Sequence, residues 1–127
     1  MLKSKAGFAS FSVDDLDKAK EFYGNTLNLQ VTDDPMGIIQ VQVPDGGSVM
    51  VYPKGPGHQP ATFTVLNFVV DDIESAVDEL SAAGVEFEHY DSPDVKTDEK
   101  GIARDERGPK IAWFKDPAGN ILSVLEG

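Results

Sequence analysis

Apolar positions recur along the chain in two spacings that take turns. Leu16, Ala19, Phe22 and Tyr23 fall at helical spacing, as do Ile73, Ala76, Val77, Leu80 and Ala83, and each set predicts an amphipathic helix. Before each helix runs a stretch rich in β-branched and aromatic residues, Gly7 to Val13 and Thr62 to Val70, which reads as a strand. Three further strands are expected after each helix. In the first half they are Leu29 to Thr32, Gly37 to Val43 and Ser48 to Tyr52; in the second they are Val85 to Tyr90, Lys110 to Lys115 and Asn120 to Glu126. Turn chemistry separates the last two strands of each half, through Pro44-Asp45-Gly46-Gly47 and Asp116-Pro117-Ala118-Gly119.

The two halves are copies. Phe11-Ser12-Val13-Asp14-Asp15-Leu16 returns as Phe68-Val69-Val70-Asp71-Asp72-Ile73, so a βαβββ unit is written twice. Module one covers about 1–56 and module two about 57–127 of a single domain, joined through the Gly- and Pro-rich stretch Gly55 to Pro60. The charged stretch Asp91 to Gly108 is too long for a simple connection and is a candidate lid. The Asp pair before each helix suits capping, since a carboxylate there accepts from free first-turn amides and complements the helix dipole. Spread around a helix start, these acids do not converge on one cation as a calcium loop does.

Strand alternation assigns faces. Ala9, Phe11 and Val13 share the face that a helix covers, leaving Phe8, Ser10 and Ser12 on the other. Leu66, Phe68 and Val70 do the same in the second copy, leaving Val65, Asn67 and Val69 opposite. A buried Asn67 must find hydrogen-bond partners in a neighbour or a ligand.

Composition narrows the chemistry. The 127 residues include 22 acidic and 11 basic side chains, a formal net charge of −11, and no cysteine. Thiol nucleophiles, Cys-ligated zinc and disulfides are therefore excluded. The negative field repels phosphate backbones and anionic lipid, so neither nucleic acid nor membrane is an expected partner. No apolar run approaches the roughly 20 residues of a membrane span, and a cytoplasmic protein is expected. Hydrolase elbows, phosphate loops and dinucleotide fingerprints are missing from the sequence.

The double pattern, with SVDDLDKAKEFY early, VVDDIESAVDEL in the middle and WFKDPAGNILSVLE at the end, resembles the vicinal oxygen chelate superfamily over essentially the whole chain. That superfamily includes glyoxalase I, extradiol dioxygenases and the bleomycin and fosfomycin resistance proteins. The resemblance implies an α+β fold in which two tandem βαβββ modules form a U-shaped mixed sheet, with helices on the convex side and a ligand groove on the concave side. It also implies a homodimer.

Metal-using members place ligands on the first and last strands of each module. Carried onto this chain, those positions hold Phe8, Val65 and Ser123, with Met50 as the first-half counterpart of Ser123. None is a good ligand for a hard or borderline divalent ion, so no metal or other cofactor is expected. His58, read as a solvated linker residue, and His89, read as a surface or structural histidine, are the atypical ligands left, together with acids of the 91–108 stretch. Ser10, Ser12 and Ser123 need a base to act as nucleophiles, and the sequence identifies none.

What remains is a groove lined by Phe8, Ser10, Ser12, Met50, Tyr52, Val65, Asn67 and Ser123, with Trp113 added although the facing of its strand is ambiguous. Apolar walls with a few polar anchors suit an aromatic or amphipathic small molecule. The reading leans towards a dimeric, non-catalytic binding protein of the drug-sequestering type, to which a basic compound would be drawn by the negative charge. Two alternatives stay open: an enzyme, either a metal-dependent lyase, isomerase or dioxygenase with atypical ligands or a lyase or isomerase that works without metal, and a sheet-edge interaction module.

Overall fold

In the computed structural model, which describes residues 1–127, the repeated pattern folds into two units that divide between Gln59 and Pro60. The boundary lies beyond residue 56, where the sequence places it, because the 3₁₀ turn Gly55–Gly57 folds back onto the first unit. There the amide of Lys54 donates to the carbonyl of Val13 (2.8 Å) and that of His58 to Gly55 (3.1 Å).

The first unit contains β1 (Ala9–Val13), α1 (Leu16–Glu21), a π-helical turn (Phe22–Thr26), β2 (Val31–Asp34), β3 (Ile38–Val43) and β4 (Gly47–Pro53). The sheet order is β1-β4-β3-β2, with β1 parallel to β4 and the other pairs antiparallel. α1 packs on β3 and β4, the strands that carry the buried Ile39, Val41, Val49 and Val51. Tyr23 is fully buried, its ring centred 6.0 Å from Phe11 and 5.2 Å from Phe22. Asp15 starts α1 by accepting from the amide of Lys18 (3.1 Å), which is the capping role expected of the Asp pair.

The second unit contains β5 (Thr64–Val70), α2 (Ile73–Ala82), β6 (Ile102–Ala103), β7 (Ile111–Lys115) and β8 (Ile121–Glu126), in the order β5-β8-β7-β6. β5 runs parallel to β8, and the remaining pairs are antiparallel. α2, capped by Asp72 through the amide and hydroxyl of Ser75 (3.3 and 3.1 Å), packs on β7 and β8. Its Ile73 and Val77 are buried, as are Ala112, Phe114, Leu122 and Val124 of the two strands. Neither α1 nor α2 is long and apolar enough to cross a membrane.

Two sequence expectations change here. Val85 to Tyr90 is not a strand: Phe87 makes one isolated bridge to Phe114, and the ladder position beside β7 belongs to β6. β6 lies inside the stretch expected to be a lid, and that stretch is tied down. Asp98 accepts from the amides of Lys100 and Ile102 (2.9 Å each) and from Arg104 Nε (3.1 Å). Arg104 also donates to Glu74 of α2, and Lys100 reaches Glu74 (3.2 Å) and Asp78 (3.0 Å). Gly101, at φ +90°, brings the loop so close that an added Cβ would sit 2.9 Å from Phe87 Cβ.

Burial of Asp98 by itself opposes ionisation, but the two amides and the Arg104 guanidinium outweigh it and hold the pKa below the ordinary aspartate value. A lowered folded-state pKa means that the stabilisation is complete above the unfolded-state pKa and is lost as pH falls through the folded one. Asp98→Ala is expected to remove about 2 kcal/mol and to speed hydrogen exchange at the Ile102 amide. In the wild-type protein the protection of this amide, its rate taken relative to intrinsic exchange at the same pH, is expected to fall only as pH drops through the lowered Asp98 pKa; equal protection in wild type and variant at neutral pH would refute the anchoring role.

Candidate functional site

Each sheet has one face under its helix and one face that the helix leaves uncovered. In the first unit, register pairs Ser10 with Met50 and Ser12 with Tyr52 on the uncovered face, while Phe11 pairs with the buried Val51. Gln40 joins this face beside Met50. Phe8 lies before β1 begins and is 70% exposed.

His58, expected to be a solvated loop residue, is half-buried, with Nδ1 hydrogen-bonded at 2.8 Å to Ser12 Oγ. An imidazole nitrogen is thus brought beside Ser12 by the linker turn. The Gly-Pro-Gly run marked a break in regular structure but gave no sign that the break closes on β1.

In the second unit, register settles the facing of Trp113. It pairs with Ser123, which pairs in turn with Asn67, so all three occupy the uncovered face. Asn67 is exposed rather than buried, because β5 is the edge of its sheet, and its partner is internal: Ser123 Oγ donates to Asn67 Oδ1 at 2.5 Å. Ser123 is itself fully buried, so its hydroxyl orients the asparagine instead of meeting solvent. Val65 is displaced by a β-bulge. Thr64 pairs with Ile121 and Leu66 with Leu122, leaving Val65 as the extra residue.

Trp113 lies where two concavities meet. One, of about 800 Å³, has Ile111, Ala103, Val95 and Pro109 among its walls; the other, of about 360 Å³, is bounded by Thr64, Phe63, Tyr90 and Ile121. Both share Trp113 and Val95. The Tyr90 ring meets Trp113 edge-on, with centroids 5.5 Å apart and planes at 77°, a favourable aromatic geometry that holds the indole in place. The larger volume falls within the roughly 300–1,000 Å³ of small-molecule sites. Its walls are formed in part by 93–96 and 103–109, so the stretch expected to be a lid supplies part of the rim.

The two arginines of this rim are paired. Arg107 donates from Nη2 to Asp105 Oδ2 (3.1 Å) and from Nε to Oδ1 (3.3 Å). These bonds hold the Asp105 carboxyl below its ordinary range and push the guanidinium up. Arg104 is committed to Glu74 and Asp98. The rim guanidinium groups therefore present little uncompensated positive charge to a ligand.

The donor set does not fit the metal that the resemblance associates with this fold. Phe8 and Met50 offer a ring and a thioether, Val65 has no donor, and Ser123 is buried in its bond to Asn67. No three histidine or carboxylate side chains come together in metal-ligating reach. His89 is exposed, with Nδ1 at 3.3 Å from the carbonyl oxygen of Asp98, which is a structural contact.

The family model described as the glyoxalase/bleomycin resistance protein/dioxygenase superfamily matches residues 5–124. Among solved structures, the genomically encoded fosfomycin resistance protein FosX of Listeria monocytogenes is similar at a TM-score of 0.71 with 16% identity, covering 99% of this chain and 95% of that one. A superfamily member from Sphaerobacter thermophilus is similar at 0.66 with 28% identity, covering 96% and 98%. The lactoylglutathione lyase of Agrobacterium tumefaciens gives 0.64 and 21%, covering 98% and 95%. No curated protein matches.

Proposed function

Because the chain belongs to the glyoxalase/bleomycin resistance protein/dioxygenase superfamily, we propose that it binds an aromatic or amphipathic small molecule on the uncovered face of its second sheet, without a metal. The observation that carries this reading is Trp113, set edge-on against Tyr90 where the two concavities meet. An indole so placed offers a flat apolar surface, while Asn67, pre-oriented by Ser123, offers an amide NH₂ as donor. With the rim arginines paired, the net charge of −11 governs encounter and favours a planar cation over an anion. Phe8, just before edge strand β1, and Val69 on edge strand β5 are 70% and 69% exposed. They support pairing with a second copy, since exposed edges and apolar side chains gain from being covered.

The test is equilibrium dialysis with two planar dyes, cationic proflavine and anionic anilinonaphthalene sulfonate. Proflavine is expected to bind more tightly and to weaken as salt rises. Trp113→Ala is expected to weaken it at least roughly tenfold, the loss of one aromatic contact, with little change in thermal stability. Equal affinity in wild type and variant would dismiss the site.

A further inference from the structure

We infer that Ser12 and His58 form a nucleophile–base pair on the first unit, competent for acyl transfer from an activated ester. The inference goes beyond the binding reading and rests on different residues.

The pair is built by the backbone. Ser12 sits in β1 on the face away from α1, one residue before Val13, whose carbonyl anchors the start of the linker turn at Lys54 (2.8 Å). The turn then closes through Gly57 N to Lys54 O (3.0 Å) and His58 N to Gly55 O (3.1 Å), with proline in its first turn restricting the chain. These bonds fix the histidine backbone, and its Nδ1 meets Ser12 Oγ at 2.8 Å. Both residues are half-buried, shielded enough to favour one geometry and open enough to meet a substrate. Tyr52 and Met50, in register with Ser12 and Ser10 on the same face, supply an apolar surface for an acyl or aryl group.

Nucleophile and base within hydrogen-bond reach are the minimum of serine catalysis, recognised by geometry and not by chain position. With the imidazole proton on Nε2, Ser12 Oγ–H donates to Nδ1. Attack of Oγ on the ester carbonyl carbon forms the C–Oγ bond while its proton passes to His58. Collapse of the tetrahedral intermediate breaks the bond to the leaving oxygen, which either takes the proton back from His58 or departs as a phenolate, in which case His58 releases its proton to solvent. Water then attacks acyl-Ser12, giving its proton to the imidazole, and the acid leaves with serine restored. No oxidant or metal enters the balance.

The experiment uses p-nitrophenyl acetate, following p-nitrophenolate release and locating the acetyl group by peptide mass mapping. Acetylation at Ser12 is expected, with release roughly 100-fold faster than in His58→Asn, the usual scale of general-base assistance. His58→Asn places an amide oxygen near Nδ1, so the tie between linker and β1 is kept while basicity is removed. Ser12→Ala is expected to abolish the acetyl-enzyme. Thermal melts confirm that the variants are folded, and Ser12→Thr, which keeps a hydroxyl, provides a second reading should Ser12→Ala fail to fold. Acetyl groups on lysines alone, release at the wild-type rate in Ser12→Ala, or release unchanged in His58→Asn would each overturn the proposal and leave the pair as a structural hydrogen bond.

Discussion

Phe114→Ala is expected to destabilise the protein by about 3–5 kcal/mol, the cost of emptying a fully buried aromatic site, and to lower the melting temperature by roughly 10–20 °C. Phe114 lies on the helix-covered side of β7, fully buried and 5.5 Å from the ring of Phe87. Its neighbour Trp113 points to the other face, half-buried against Tyr90. Strand alternation thus puts a fully buried core ring and the side chain proposed to meet the ligand side by side. The two alanine variants are expected to separate: Phe114→Ala falls in stability, whereas Trp113→Ala falls in dye affinity. Differential scanning calorimetry checks the first, and a loss below about 1 kcal/mol would mean that the core is not built around this ring.

Asp116→Ala carries the second large effect, about 3 kcal/mol. The carboxylate is 4% exposed, and one of its oxygens accepts from the amides of Ala118 (3.0 Å) and Asn120 (2.9 Å). The other accepts from the Asn120 side-chain amide (3.1 Å), while Asn120 Oδ1 in turn accepts from the Ala61 amide (3.4 Å). Alanine leaves these donors in a dry turn without their acceptor, at roughly 1–3 kcal/mol for each buried group left unmatched. The turn cannot relax easily, because Gly119 sits at φ +85° and an added Cβ there would meet Pro60 at 3.1 Å. Asp116→Asn keeps one oxygen but sets an NH₂ against that of Asn120, so an intermediate loss is expected. Urea denaturation of both variants checks the order, and equal stability of Asp116→Ala and wild type would contradict it.

The DPAG turn was legible in the sequence because its chemistry is local: Asp, Pro and Gly each satisfy a requirement within a few residues. The helix starts were legible for the same reason, Asp15 and Asp72 each closing on an amide three residues ahead. Long-range pairing was not. Val85 and Phe87 alternate with polar residues and are indeed buried, but alternation reports burial and not a hydrogen-bond ladder. The neighbour of β7 turned out to be the two-residue β6, too short to show a period. No pattern marks the bulge that moves Val65 out of line, since one extra residue leaves composition unchanged. Trp113 could be placed only once its register with Ser123 was known. His58 escaped because what brings it to Ser12 is the closure of a turn, not a spacing along the chain.

The central claim is that the aromatic cavity binds its ligand without a metal, and the sole tryptophan of the chain is its own reporter. The decisive measurement is a fluorescence titration of Trp113 with proflavine, run on protein stripped with a chelator and on protein preincubated with zinc, nickel, iron or manganese. A saturable quench with the same midpoint in every sample is the predicted result. A quench that appears only with a bound ion would contradict the account and assign the site to a metal-dependent member of the superfamily; no quench in any sample would contradict binding at Trp113 itself.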